Sequence, residues 1–407
     1  MKRFFLIAAL LTVFLIPGCE KDSGPDILLR LYGDAYEDVA YSIALSGDEL
    51  VIGGLRTVLT RRDGNYIESS DRNMGIFKTG STGLQIWEVT PGSTRDDEAA
   101  RVIVLPDGSI IAAGMTITGT GVAANTDIYV VKLGSDGQVV WESTIGGTGN
   151  EYATDIIAKT DGGFMVSGVT DAYRAESGGF SENIAGKKDF LLLEISSVGD
   201  SLSSYAFGYG GDDICTRMKR DRLDGYILFG TTDNSSEPGL EKNNLLLIRV
   251  NEDASNRGAA IIGDQDDEYA ADFEVLSDGY LLTATVGKIN ENTQIEIVGL
   301  STNIQDEPRF RRNFRVNGLP SAVNTLAVRD GAYYIGGRIG ILSSSDMLFL
   351  QIDEYGETVG EPIISGGTGS QEVFDILLSD DGFLYAAGTT AFENNTMMCL
   401  LKFRYRN

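Results

Sequence analysis

From residue 27 onward the chain alternates short apolar runs with Gly, Asp and Asn, and one arrangement of these runs returns at a fixed interval. The stretch from Ile145 to Gly168, IGGTGNEYATDIIAKTDGGFMVSG, reappears 219 residues later as ISGGTGSQEVFDILLSDDGFLYAAG. That gap holds four periods of about 55 residues, the signature of a repeat architecture. A turn dipeptide marks every copy: Asp48-Glu49, Asp107-Gly108, Asp161-Gly162, Asp224-Gly225, Asp278-Gly279, Asp330-Gly331 and Asp381-Gly382, at spacings of 59, 54, 63, 54, 52 and 51. Each copy carries four apolar runs, which in the third read ATDIIAK, FMVSGVT, DFLLLEI and SLSSYAFG. Runs this short, rich in β-branched and aromatic residues and bounded by turn formers, predict strands. The third run is apolar on both faces in copy after copy (DIYVVKL, DFLLLEI, NLLLIRV, DMLFLQI), so it needs cover on both sides. Seven four-stranded units of this kind predict an all-β chain folded as a seven-bladed β-propeller.

The chain ends predict how the ring closes. The last copy stops after its third run, at MMCLLKFRYRN, while an orphan run, ILLRLYGD, precedes the first copy. Residues 27–32 are expected to supply the missing fourth strand of blade 7 and so to cover an edge that would otherwise invite pairing with another chain. The propeller is thus expected to span residues 27–407.

Ahead of it, MKRFFLIAALLTVFLIPGC has a basic start at Lys2 and Arg3 and an apolar stretch from Phe4 to Ile16. Thirteen residues are too few to cross a bilayer, which needs about 20, so residues 1–18 read as an export signal. The ending LIPGC resembles the lipobox of bacterial lipoproteins. That resemblance implies that Cys19 is lipidated and heads a short tether, residues 19–26, and that Glu20 directs the protein onward to the outer membrane of a Gram-negative cell. The order of Asp-Gly, apolar run, Gly, second apolar run with Lys or Arg, Gly and Trp resembles bacterial propellers of DG-type repeats, including the delta-sixty class. SDGQVVWESTIGG is similar, more faintly, to the quinoprotein-type repeats of outer-membrane assembly lipoproteins. These likenesses imply an architecture and no activity.

Charge and composition narrow the partners. The formal charge of −26 becomes −28 without Lys2 and Arg3, which opposes nucleic acid and anionic headgroups and leaves the lipid anchor as the membrane contact. There is no histidine, which removes Ser-His-Asp and Cys-His catalysis and imidazole metal sites. Cys215 and Cys399 fall in apolar columns of the repeat, in blades too far apart to bridge. Trp87 and Trp141 share one repeat position and are expected to pack between blades.

Strand direction puts the loops between second and third strands on the same face as the blade-to-blade connections. Two of these loops are long: RTVLTRRDGNYIESSDRN in blade 1 and TDAYRAESGGFSENIAGKK in blade 3. Such length costs little entropy, so drift explains it as well as function does, yet loops on a rigid scaffold are where binding residues gather. Tyr66, Tyr173, Arg174 and Phe180 are the binding candidates there. The acidic connections YGDAYED, GSTRDDE, GGTGNEY, YGGDDI and GDQDDEY invite calcium, but none has the spacing of a calcium loop, so charged, solvated turns are expected.

Seven residues before the turn glycine or its equivalent, with one insertion allowed in blade 4, stand Ser42, Arg101, Asp155, Arg217, Asp272, Asn324 and Asp375. This column is expected on the innermost strand beside the axis, either as ion pairs joining the blades or as a polar mouth for a small ligand; the joining role is the preferred one. No residue is expected to be catalytic and no metal is expected. The function expected is a monomeric, non-catalytic binding or interaction scaffold of the cell envelope, with a protein or polysaccharide partner. The alternative is a carboxylate-based hydrolase or lyase acting on envelope glycans.

Overall fold

The computed structural model describes residues 27–33, 36–62, 65–93, 95–121, 124–171, 188–233, 242–392 and 395–405. Residues 1–26, with the expected signal and tether and Cys19, lie outside the described residues, as do Tyr173, Arg174 and Phe180.

The strands form seven four-stranded antiparallel sheets, one per copy of the repeat, set as a seven-bladed β-propeller. Blades 1 to 6 take their four strands in chain order, over residues 39–89, 97–145, 151–207, 213–262, 268–314 and 321–365. Blade 7 takes three strands from residues 371–404, and its outermost strand is Leu28–Tyr32, paired from Leu28 with Lys402 to Tyr32 with Met398. Among the described residues no helix is long and apolar enough to cross a membrane.

The core lies in the seams between blades. Third strands are buried on both faces, as in Asp189–Ile195, where only Glu194 is partly exposed. Aromatic side chains meet edge-on across the seams, Phe229 against Phe273 at 5.6 Å and Phe349 against Phe403 at 5.0 Å. Each fully buried side chain of this size contributes about 1.5–3 kcal/mol. Cys215 and Cys399 are both free and buried. The outer rim is stitched at a repeated place. Trp87 rests on Gly137 of the next blade, where a Cβ would stand 3.0 Å from the ring, and its indole N–H donates to the Ser135 carbonyl at 3.3 Å. Trp141 treats Gly199 and the Ser197 carbonyl likewise, at 2.8 and 3.1 Å. The first strand closes the circle on the same site of blade 1, with Tyr32 Oη donating to the Gly83 carbonyl at 2.7 Å.

Two expectations change. The long blade 1 segment is no loose loop: Glu49–Arg62 and Asn65–Gly80 continue as a paired hairpin in which Arg61 stands opposite Tyr66. Thr57, Val58, Thr60, Tyr66 and Ile67 are β-branched or aromatic residues, the types that suit a strand. The second change lies at the axis. Every inner strand holds one extra residue, a β-bulge, at the same level: Tyr41, Ala100, Thr154, Thr216, Ala271, Asn324 and Phe374. The kinked strand presses its carbonyl onto the neighbouring second strand, where a Cβ at Gly168 would stand 2.1 Å from the Tyr152 oxygen. Gly54, Gly114, Gly230, Gly337 and Gly388 meet the equivalent carbonyls at 1.8 to 2.2 Å, so six of the seven blades keep glycine at this place, while blade 5 holds the buried Ala284 there.

Candidate functional site

Inner strands begin on one face of the ring, here the upper face, which also carries the blade-to-blade connections and the hairpin of blade 1. Each bulge turns two consecutive side chains toward the axis. The second of the two is the charged column. Asp155 pairs across from Ser167, Asp272 from Thr283 and Asp375 from Ala387, and the residue of blade 6 in this register is Thr325, opposite Gly336, rather than Asn324. The miscount has a local cause. Blade 6 turns on two residues, Asp330 and Gly331, with φ of 51° and 76°, a tight mirror-image turn that brings its glycine one position nearer the column.

The column links blades in a circle. Arg101 reaches past blade 1 to Asp375 at 2.9 Å and also faces Asp155 at 3.4 Å. Arg217 stands 3.9 Å from Asp272, which also faces Lys219 at 3.7 Å. The Thr325 hydroxyl lies 3.5 Å from Asp272 and 3.4 Å from Asp375. Each aspartate further accepts a main-chain N–H of the following blade: Asp155 from Met218 at 3.1 Å, Asp272 from Leu326 at 3.0 Å and Asp375 from Ile43 at 3.0 Å. Ser42 accepts from Val102 N–H and donates to Asp375, both at 3.2 Å. Burial alone would lower the Arg101 pKa, but Asp375, Asp155 and Asp272 hold it well above the ordinary arginine value. Burial likewise works against the Asp272 carboxylate, and Lys219 and Arg217 outweigh it, keeping its pKa below the usual range.

The first residue of each bulge, one position earlier, does something different. All seven line a single cavity of about 440 Å³ that opens on the upper face. Sequence periodicity hides this set, because the bulge inserts it between two alternating positions. The signal that marks it is a small residue two places before the column opposite a glycine, as in Ala153 opposite Gly168. One side of the mouth, from blades 7, 1 and 2, presents Phe374, Glu372, Tyr41 and Glu98; the other, from blades 4 to 6, presents Ile214, Thr216, Arg217, Tyr269, Ile289 and Asn324. Tyr41 and Phe374 meet edge-on at 5.2 Å. Glu372 accepts from the Asn324 amide at 2.9 Å and faces the buried Arg338 at 3.2 Å. Among the described residues, the cation nearest Glu98 is Arg72, 4.0 Å away, which also serves Glu37 and Asp96. Burial raises the Glu98 pKa, and burial together with Glu98 and Glu37 raises that of Tyr41.

The acidic connections prove only partly solvated. Asp38, Asp97, Glu151, Asp213, Glu268 and Gln371 each follow a glycine by five positions and are buried. They accept the orphan N–H groups of the connection: Asp97 from Ser93 at 2.7 Å, Glu151 from Gly147 at 3.0 Å and Gln371 from Gly367 at 3.2 Å. The acid one place earlier caps the approach to a third strand, Asp96 accepting from Arg72 N–H at 3.0 Å and Asp267 from Asn243 N–H at 3.2 Å. Buried main-chain donors need acceptors, and this need explains the acids at the junctions. Among the described residues no group of three or more acidic, Cys or His side chains is placed to hold a metal ion.

No protein-family model and no curated protein matches the sequence. Among solved structures the chain is similar to hydrazine synthase of Kuenenia stuttgartiensis, with a TM-score of 0.54, 13% identity and coverage of 89% of this chain and 96% of that one. It is also similar to a puromycin hydrolase S511A mutant complexed with PGG, with a TM-score of 0.50, 11% identity and coverage of 87% of this chain and 50% of that one. At such identities the likeness concerns the fold alone.

Proposed function

We propose that this chain is a lipid-anchored protein of the outer membrane that serves as a non-catalytic binding scaffold, receiving a protein or polysaccharide at the upper mouth of the propeller. The observation that carries this reading is the cavity of about 440 Å³, lined by side chains from all seven blades. Concave sites that mix apolar lining with a few convergent polar groups are the usual form of a ligand pocket. The LIPGC motif ending at Cys19 supports the anchor. A carboxylate hydrolase needs two acids free to face one bond. Of the two in this mouth, Glu372 is already engaged by Asn324 and Arg338, which favours binding over turnover.

The test fills the mouth. Ala100→Trp combined with Thr154→Trp places two indoles at bulge positions, and the wild type and this variant are compared on a glycan panel and against purified envelope proteins. Binding that is lost on filling supports the reading, and binding indifferent to it refutes the mouth as the site. Deleting residues 61–72 and 172–185 asks whether the hairpin and the blade 3 loop share the contact. For the anchor, Cys19→Ala is expected to move the protein from the membrane to the soluble fraction, and retention in the membrane refutes lipidation.

A further inference from the structure

The mouth is chemically lopsided. Its blade 7, 1 and 2 side gathers two aromatic rings, Tyr41 and Phe374, beside Glu98. Among the described residues no group donates a hydrogen bond to the Glu98 carboxylate, and its nearest cation, Arg72 at 4.0 Å, is shared with Glu37 at 3.3 Å and Asp96 at 3.9 Å. One positive charge for three negative ones leaves this corner anionic. The two arginines on the cavity wall each stand beside an acid: Arg217 lies 3.9 Å from Asp272, and Arg338 lies 3.2 Å from Glu372 and donates to the Gly340 carbonyl at 3.0 Å. A half-buried carboxylate whose one cation is distant and shared, lining the same cavity as two aromatic rings, is complementary to an organic cation, because ring faces are electron-rich and the bulk of the rings excludes the water an inorganic ion would keep. The chain's net charge of −26 would draw such a ligand in from a distance.

Resting on the proposed binding role, we infer that the mouth recognises an ammonium group, with Glu98 as counter-ion and Tyr41 and Phe374 as the aromatic wall. The Thr216, Asn324 and Ile289 side of the cavity then receives the rest of the ligand. A free amine and a lysine side chain of a partner protein share this chemistry.

Isothermal titration calorimetry on the full propeller tests the inference with choline, cadaverine, a lysine-containing peptide and 3,3-dimethyl-1-butanol, the uncharged isostere of choline. At least one of the three cations is expected to bind about tenfold or more tighter than the isostere, and Glu98→Gln is expected to erase that margin while leaving the melting temperature unchanged. Phe374→Leu is expected to weaken the cations more than the isostere. Equal binding of choline and its isostere, or no binding of any cation, overturns the inference. A lysine peptide that outbinds cadaverine points to a protein source and the reverse to a free amine; both outcomes support ammonium recognition. The underlying role is tested separately. A partner from the glycan and protein panel that is lost on filling the mouth but indifferent to Glu98→Gln leaves the scaffold standing and removes the ammonium site. A partner indifferent to both changes removes both.

Discussion

Replacing Asp189 by asparagine is expected to stabilise the propeller at pH 8 and to do much less at pH 5. Asp189 opens the third strand of blade 3, is 1% exposed, and its Oδ2 has no hydrogen-bond partner among the described residues. A Cβ on Gly208 would stand 2.0 Å from Asp189 Oδ1 and 2.5 Å from Asp213 Oδ2, so the two carboxyls flank one point. Burial, then the charges of Asp213 and Asp212, push Asp189 up to about 7. Burial pushes Asp213 up to about 6, against the opposing pull of Thr232 and the Tyr209 N–H. A carboxyl whose folded pKa exceeds its unfolded value of 3.8 holds more protons in the native state, so its contribution is intact below pH 3.8 and is lost as pH rises through 7. At 1.36 kcal/mol per unit, the loss at Asp189 reaches about 4 kcal/mol at pH 8 but stays under about 2 kcal/mol at pH 5. Asparagine escapes this cost, and the adjacent junction already uses it, with Asn244 facing Glu268 across Gly263. With an unfolding entropy of about 0.8 kcal/mol/K for a chain of this size, D189N should melt about 5 °C higher than the wild type at pH 8 and about 2 °C higher at pH 5. Thermal melts by circular dichroism at both pH values read the difference. An equal gain at the two pH values, or none at pH 8, refutes the reasoning.

Three further outcomes are expected. Arg101→Ala leaves Asp155 and Asp375 without their shared guanidinium and should cost about 3–5 kcal/mol in urea unfolding; a loss below about 1 kcal/mol would show that the main-chain donors suffice. Removing residues 27–32 bares the edge at Asn395–Arg404 and should lower the melting point by about 5 °C or more and promote self-association on a sizing column, whereas an unchanged profile would mean that the strand pairing adds no stability. Gly168→Val drives a Cβ into the Tyr152 carbonyl and should abolish soluble expression, while Ala284→Gly at the same level of blade 5 should cost about 1 kcal/mol or less; comparable damage from both would refute the bulge contact as the reason for the glycine.

What could be read from the sequence follows from which physical causes leave a periodic trace. Strand burial does: runs such as DFLLLEI are apolar throughout because both their faces are covered, and seven of them separated by turn residues specify the blades. Closure was legible because a strand missing at one end and a spare one at the other are complementary counts. A bulge leaves no such trace, since it shifts the register by one without changing composition, and so nothing in the sequence pattern separates Tyr41, Thr154 and Phe374 from their charged neighbours. Turn geometry matters too, because the two-residue turn of blade 6 moves its glycine so that counting back from it falls on Asn324 instead of Thr325. The junction acids looked solvated because charge is read as exposure, whereas Asp97 and Glu151 sit inside, held by main-chain donors that no sequence pattern displays.

Around the axis, the acceptors Ser42, Asp155, Asp272 and Asp375 belong to blades 1, 3, 5 and 7, and the donors Arg101, Arg217 and Thr325 to blades 2, 4 and 6. An odd circle cannot be two-coloured, so two like members must touch once. They touch where blade 7 meets blade 1, and there the amphoteric Ser42 hydroxyl plays both parts. Loss of blade 4 or blade 6 would set two aspartates face to face, whereas loss of a consecutive pair that spares blade 1, such as blades 3 and 4, would keep the alternation whole. Parity at the axis therefore constrains how such a chain can be shortened, lengthened or recombined, and it favours changes made two leaves at a time.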